Sequence, residues 1–303
     1  MKWRKLLMFD GNNLVMRMAA SPGLSKMSYH GEPTGAIHGA VKAVLSKIDA
    51  YKPDEVAVAF DGLGASAKKR QIYSGFKADR GPMLDSVFGQ IEYTRNLLRA
   101  AGIFVFHEPG YDADDVLGCF ASIPGRSVLL LSNDKDFCQL VNSRTAIIRP
   151  DGSLDTLIYR QEVIDRYGIP PSRFAEYLAL VGDSVDGIPG LQNCGPKNAV
   201  QILREYGSLT EFLEDPPQKW RKAVKKQRKE LVAFLALTRI NKHVLSEEKL
   251  SSIIPRLTPG AYSKQLPTLL AGKNLKSLAA WFAVHPGSVI DKKGGIFDAI
   301  SAD

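Results

Sequence analysis

The chain has 303 residues, 45% of them hydrophobic and 24% charged, the balance of an ordinary soluble globular protein of one large or two modest domains. No apolar run reaches membrane-spanning length, and the run after the basic N-terminus, Leu6 to Phe9, is too short for a signal-peptide core, so a cytoplasmic protein is expected. The formal net charge of +8 fits a polyanionic partner, while Cys119, Cys138 and Cys194 are too scattered for a zinc site or a disulfide framework.

In chain order, Leu6-Leu7-Met8-Phe9 predicts a buried strand ending at Asp10. Ile37, Val41, Val44, Leu45 and Ile48 recur at helical spacing. Val56 to Phe60 predicts a second strand ending at Asp61. Residues 62–82 hold few buried-type side chains and predict an exposed or mobile excursion. Leu84, Val87, Phe88 and Ile91 mark a helix, Ile103 to Phe106 a strand, Asp112 to Phe120 a helix, and Val128 to Leu131 a strand running into Ser132-Asn133-Asp134. This alternation predicts an α/β fold with a mostly parallel sheet flanked by helices. After Asp151 the strand signals fade, and a helical region with glycine-rich breaks is expected.

Three predicted strands end in aspartate, and Asp112, Asp114 and Asp115 open a helix. In a parallel sheet the strand carboxyl ends share one edge, where ligands bind. Each aspartate alone could be a helix cap. Together, Asp10, Asp61, Asp112, Asp114, Asp115, Asp134 and Asp136, with Asp183 and Asp186 further on, would repel one another without a cation. An oxygen-only donor set favours Mg²⁺, with Mn²⁺ as the alternative, over zinc. Basic residues gather elsewhere, at Lys68-Lys69-Arg70, Lys77 and Arg80, and along Lys219 to Lys229. An acidic, metal-filled hole in a cationic body suits a phosphodiester substrate. Other readings fail: Met8 stands where a haloacid-dehalogenase phosphatase needs its aspartate nucleophile, and Gly62 to Ala67 lacks the third glycine of a dinucleotide fingerprint.

The segments "FDGNNL", "GEPTGAIHG", "AVAFDG", "YSGFKADRGPM", "YDADDVLG", "LLLSNDKDFCQLV", "LALVGDSVDGIPG" and "CGPKNAVQIL" carry a pattern. On these the chain resembles the 5′-nuclease (flap endonuclease) family, most of all the N-terminal 5′-nuclease domain of bacterial DNA polymerase I, as a stand-alone phage or bacterial enzyme. The resemblance implies a PIN-like core over residues 1–150 with a helical arch at 62–82. It implies a helical DNA-binding region over 151–303 with a helix–hairpin–helix element at about 172–206. It implies 5′–3′ exonuclease and structure-specific flap endonuclease action in replication, repair or primer removal. Asp10, Asp61, Asp112 and Asp114 match one metal-ligand group; Asp134, Asp136, Asp183 and Asp186 match a second, and Asp115 an additional acidic position. Asp112 stands where many relatives have glutamate. Lys69 stands where the polymerase relatives have arginine, with Arg70 one place later.

Lys77 and Arg80 would stabilise the scissile phosphate. Tyr73 and Phe76 would stack on unpaired bases, with ordinary packing as the alternative. Gly190 and Gly195 would shape the hairpin, Lys197 would help hold a DNA phosphate there, and K⁺ would bind through backbone carbonyls. Lys222, Lys225 and Lys226 would extend the duplex track. The expected partner is DNA with a 5′ end, flap or branch, with RNA–DNA as a second candidate, acted on by a monomer. The alternatives are a non-catalytic branched-DNA-binding protein of the same fold, or a PIN-type RNase.

Overall fold

The computed structural model describes residues 3–79, 81, 85–151 and 154–290. Its six-stranded sheet is formed by β1 (Arg4–Asp10), β4 (Glu55–Ala59), β5 (Phe104–Phe106), β6 (Arg126–Leu131), β7 (Thr145–Asp151) and β8 (Leu154–Ile158). The strands β2 (Ser28–Tyr29) and β3 (Glu32–Pro33) pair separately as a short hairpin. The sheet order is β5-β4-β1-β6-β7-β8, parallel throughout except where β8 returns antiparallel to β7.

Both faces of the central strands are covered. Leu6, Met8, Ala57, Ala59, Val128 and Leu130 face one apolar cluster, and Leu7, Phe9, Val56, Val58, Leu129 and Leu131 face the other. This period-two division of continuous apolar runs is what a parallel sheet buried on both sides requires. The helices α1 (Gly11–Ala19), α2 (Gly35–Tyr51) and α4 (Asp85–Ala100) cover the second face. The excursion after β4 contains the short α3 (Ala67–Ile72), which buries no residue. On the first face lie α5 (Ala113–Ala121), α6 (Arg160–Tyr167), α7 (Phe174–Val181), α8 (Pro196–Tyr206), α9 (Leu209–Glu214), α10 (Gln218–Thr238) and α11 (Glu247–Ile253).

Two features depart from the predicted division at 150/151. That boundary cuts β7 before its last residue and parts it from β8, with which it pairs from Ile147–Ile158 to Asp151–Leu154. Their signals are weak because Arg149 and Pro150 interrupt the first run, and β8 is an edge strand with Leu154 largely exposed. Second, the last helices, α12 (Leu266–Gly272) and α13 (Lys276–Val284), do not join the helical region. Their apolar stripe (Leu266, Leu270, Leu275, Leu278 and Phe282) packs on the α2/α4 face. Polar ties fix the docking: Trp281 Nε1 donates to Asp49 Oδ2 at 2.9 Å, and Tyr93 Oη donates to the Leu269 carbonyl at 2.6 Å. Short amphipathic helices are stable only against such a face. The three cysteines are free and buried. Among the described residues no helix is long and apolar enough to cross a membrane.

Candidate metal and nucleic-acid site

β4 and β6 flank β1 on opposite sides, so the chain path diverges at β1 and opens a crevice at the strand carboxyl ends. Asp10 closes β1, Asp61 follows β4, and Asp134 follows β6. Capping and clustering prove to be one feature. Asp10 Oδ1 accepts from the Asn13 amide at 3.0 Å, Asp112 Oδ1 from Asp114 at 3.1 Å, Asp134 Oδ1 from Asp136 at 2.9 Å and Asp183 Oδ1 from Val185 at 3.0 Å. Asp61 Oδ1 accepts from the Ala113 amide at 2.9 Å, tying the β4 end to the start of α5. Each carboxylate is thus oriented through one oxygen by a backbone amide.

The electrostatics record the crowding. Burial, followed by Asp61 and Asp134, pushes Asp10 up to about 7. Burial, with Asp112, Asp10 and Asp134 close by, raises Asp114 well above the usual carboxylate range. Burial, with Asp134, Asp183 and Asp186 close by, raises Asp136 in the same way. Asp61 keeps contact with solvent, yet desolvation by the surrounding atoms and then Asp112 raise it too. Asp112 moves the other way: burial opposes its charge, but Lys69 and Lys77 outweigh burial and hold it below the ordinary value.

Lysines supply the neutralising charge in this arrangement. Lys69 Nζ lies 3.1 Å from Asp112 Oδ2 and 3.8 Å from Asp115 Oδ2. Lys135 Nζ lies 2.7 Å from Asp183 Oδ2, and Lys77 Nζ 3.9 Å from Asp186 Oδ2. Among the described residues no three His, Cys, Asp or Glu side chains are drawn together closely enough to hold a metal as they stand. The donor set nevertheless fits a hard cation. All candidate ligands are carboxylates, and Asp136 Oδ1 is buried without a hydrogen-bond partner. Asp115 is turned differently: its Oδ1 accepts from the Asn241 amide at 2.8 Å and so pins α5 to the loop after α10. Asp112 has both oxygens engaged, one by its cap and one by Lys69.

The structure separates the basic candidates. Lys69 enters the carboxylate site, whereas Arg70 is exposed on α3. Arg80 lies outside the described residues. Lys77 is held by its backbone, its amide donating to the Asp186 carbonyl at 2.9 Å. The expected stacking role of Phe76 is corrected: it is 1% exposed and packed in the core cluster below the site. Tyr73 is half-buried and meets Phe234 of α10 edge-on at 5.2 Å, so the aromatic pair anchors the arch base. The excursion is therefore exposed along α3 but fixed at 73–77.

In the hairpin between α7 and α8, Gly190 has φ +73°, and a Cβ there would meet the Gly182 nitrogen at 2.5 Å, so only glycine fits. Gly195 has φ −78° with open space around it; it imposes no turn but leaves the α8 N-terminus bare behind Pro196. Lys197 is exposed beside it. Gln227 of α10 donates to the Gly190 carbonyl at 3.2 Å and accepts from the Gln192 amide at 2.9 Å, which joins α10 to the hairpin. Lys222, Lys225 and Lys226 are exposed on one face of α10, while Trp220, Val224 and Leu231 are buried on the other.

Sequence reasoning missed the supporting residues. Ser132 Oγ donates to Asp10 Oδ2 at 3.2 Å and accepts from the Asp134 amide at 3.1 Å, linking the two carboxylate groups. Asn12 Oδ1 accepts from the Asp61 amide at 3.1 Å. Arg149 and Arg166 line the same cleft as Asp134 and Asp183. Only folding brings these residues together, so no local pattern marks them.

Comparison with known proteins matches both halves of the fold. Residues 5–168 match the N-terminal resolvase-like domain of 5′–3′ exonucleases, and residues 169–258 match their C-terminal SAM-fold domain. A 5′–3′ exonuclease of Aquifex aeolicus is 37% identical over 216 residues, covering 70% of this chain and 73% of that protein. DNA polymerase I of Caldicellulosiruptor bescii is 36% identical over 219 residues, covering 70% of this chain and 25% of the polymerase, so the chain corresponds to about a quarter of that relative. The bacteriophage T5 D15 flap endonuclease, in a pseudo-enzyme-product complex with DNA and metal ions, shares the fold with a TM-score of 0.68 at 18% identity, covering 84% of this chain and 98% of that one. With family domains matched across both its α/β and helical halves, the chain belongs to the 5′–3′ exonuclease family.

Proposed function

We propose that this chain is a divalent-metal-dependent 5′-nuclease that hydrolyses phosphodiesters in DNA bearing a 5′ end, flap or branch. The observation that carries the reading is the convergence of aspartates from three parallel strand ends, the α5 start and the 183–186 turn beside the lysines of the arch base. Asp10, Asp61, Asp112 and Asp114 would hold one ion, and Asp134, Asp136, Asp183 and Asp186 a second, with Mg²⁺ preferred and Mn²⁺ as the alternative. Such ions activate water for attack and offset the charge that develops on the phosphate. Lys77, with Arg80, stabilises that phosphate from the arch side, and Lys69 sets the orientation of Asp112. The bare α8 N-terminus with Lys197, K⁺ on the hairpin carbonyls and the α10 lysines hold the duplex without reading its sequence.

Product mapping on end-labelled flap, nicked and RNA–DNA substrates tests the reading. Mg²⁺ or Mn²⁺ should yield 5′-phosphate and 3′-hydroxyl ends, and a chelator should yield intact substrate. Intact flap DNA at every Mg²⁺ concentration would reject it.

A pH dependence follows from the raised carboxylates. Asp10 titrates near 7 in the fold against an ordinary 3.8, so between these values the folded, metal-free protein holds a proton that the unfolded chain releases. Metal-free stability from this group is therefore lost as pH rises through that window, and Asp61, Asp114, Asp115 and Asp136 act in the same direction. Asp112, held low, opposes them. A divalent ion must displace the same protons, so the rise in Tm on adding Mg²⁺ should be larger at pH 8 than at pH 5.5. Thermal scans with and without Mg²⁺ at the two pH values check this; equal increments would contradict it.

A further inference from the structure

The cleft around the second carboxylate group has a volume of about 520 Å³, and among the described residues none from the arch lines it. Its wall includes Arg149, near the carboxyl end of β7, and Arg166, in the last turn of α6. In the sheet order, β4, from which the arch springs, and β7 lie on opposite sides of the β1–β6 pair. The arch lysines and these two arginines therefore stand on opposite flanks of the carboxylates.

The arginines are not there to balance the aspartates as Lys135 does. Lys135 is ion-paired to Asp183 at 2.7 Å. Among the described residues, the guanidinium of neither Arg149 nor Arg166 makes an ion pair or a hydrogen bond, and the buried Asp136 Oδ1 in the same cleft stays unpartnered. Arg166 instead lies over the Tyr167 ring at 5.6 Å. That ring is fixed edge-on against Phe174 at 4.8 Å. Two permanently charged guanidinium groups, one of them laid on a fixed aromatic platform, keep their donors free toward a cleft lined by acids. Guanidinium donors in a fork match phosphate oxygens, and a phosphate entering here would bridge a charge pattern that the protein leaves open.

We propose that Arg149 and Arg166 form a phosphate subsite that holds the backbone phosphate next to the scissile one, on the side away from the arch. The inference rests on the nuclease reading and adds to it a second cationic wall. A strand crossing the sheet edge is then gripped on both flanks, by Lys77 at the reacting phosphate and by the arginines at its neighbour. Oligonucleotides long enough to reach the subsite are bound in register, and shorter ones lose that grip.

The test compares Arg149→Ala, Arg166→Ala and Arg149→Lys with wild type. Arg144→Ala serves as the charge-matched control, since Arg144 sits over Trp3 at the opposite end of the sheet. Flap-DNA affinity is measured with Mg²⁺ replaced by Ca²⁺, across a salt series. Single-turnover cleavage is measured with Mg²⁺ at saturating DNA. The two alanine variants should bind about tenfold more weakly, and each should lower the salt slope by about 0.9, the counterion term for one phosphate. Their saturated cleavage rates should change far less, and Arg149→Lys should recover part of the affinity. Neutralising the neighbouring phosphate as a methylphosphonate should weaken wild type by the same factor and the alanine variants no further.

Variants that bind DNA as Arg144→Ala does would overturn the subsite. So would variants that only gain Mg²⁺ affinity, read as a larger Tm increment, because that result assigns the arginines to charge balance. A wild-type protein that neither binds nor cleaves flap DNA would instead defeat the nuclease reading, and the subsite with it.

Discussion

Asp134→Asn should abolish Mg²⁺-dependent cleavage of flap DNA while leaving the fold and DNA binding in place. The substitution is clean for a structural reason. Asp134 Oδ1 caps the 3₁₀ turn at Lys135–Leu140 by accepting from the Asp136 amide at 2.9 Å, and an Asn carbonyl can accept the same bond. What changes is the charge shared with Asp10, Asp114 and Asp136, each of whose titration Asp134 perturbs. On the proposed reading, in which Asp134 is an anionic ligand of the metal site, its loss is expected to cost about 10³-fold in single-turnover rate, roughly 4 kcal/mol of transition-state stabilisation. An unchanged Tm, near-unchanged DNA affinity and a collapsed rate is the expected signature. Full activity would remove Asp134 from the site.

The second large effect is expected at a residue with no functional side chain. Gly187 has φ +69°, and a Cβ there would sit 2.4 Å from the Gly75 carbonyl oxygen and 3.6 Å from the Lys77 nitrogen. The turn that carries Asp183 and Asp186 is closed on itself by paired bonds between Asp183 and Ile188 at 2.7 and 2.8 Å. It touches the arch base through Gly187 and through the bond from the Lys77 amide to the Asp186 carbonyl. The Gly187→Ala substitution must strain the backbone and push these two segments apart, at a cost of about 1–3 kcal/mol in stability. Lys77 and Asp186 then lose their common frame, and a shift of about 1 Å can cost on the order of 10²-fold in rate. The measurement is single-turnover rate beside Tm, with Lys77→Ala for comparison. A Gly187→Ala enzyme with wild-type rate would show that the arch base does not position Lys77.

Much of the fold is legible in the residues alone. The runs at Leu6 to Phe9, Val56 to Phe60 and Val128 to Leu131 read as strands because a sheet buried on both faces demands unbroken apolar stretches. β7 and β8 are not legible in this way, because an edge pair tolerates Arg149, Pro150 and an exposed Leu154. Within the candidate site, most of the aspartates stand out because they follow a strand or open a helix, while Asp183 and Asp186 lie in the turn after α7. Phe76 misleads for a simple reason: an aromatic in a polar excursion reads as exposed, and only its burial at 1% shows that it anchors the arch. Arg149 and Arg166 give no signal, since single arginines in an ordinary β7 and α6 resemble solvated surface.

By itself, the sequence determined which residues carry charge, where strands end in acids, and that the body around them is cationic. Those properties are local: an aspartate at a strand end or helix start is written in adjacent positions, as the caps at Asp10, Asp112 and Asp134 confirm. Tertiary structure alone decided which oxygen of each carboxylate is spent on a cap, that Lys69 rather than Arg70 faces Asp112, and that the last helices dock on α2 and α4. It also decided that Gly187 touches the arch. These outcomes depend on contacts between segments far apart in the chain, where packing and desolvation select among arrangements that every local preference would allow.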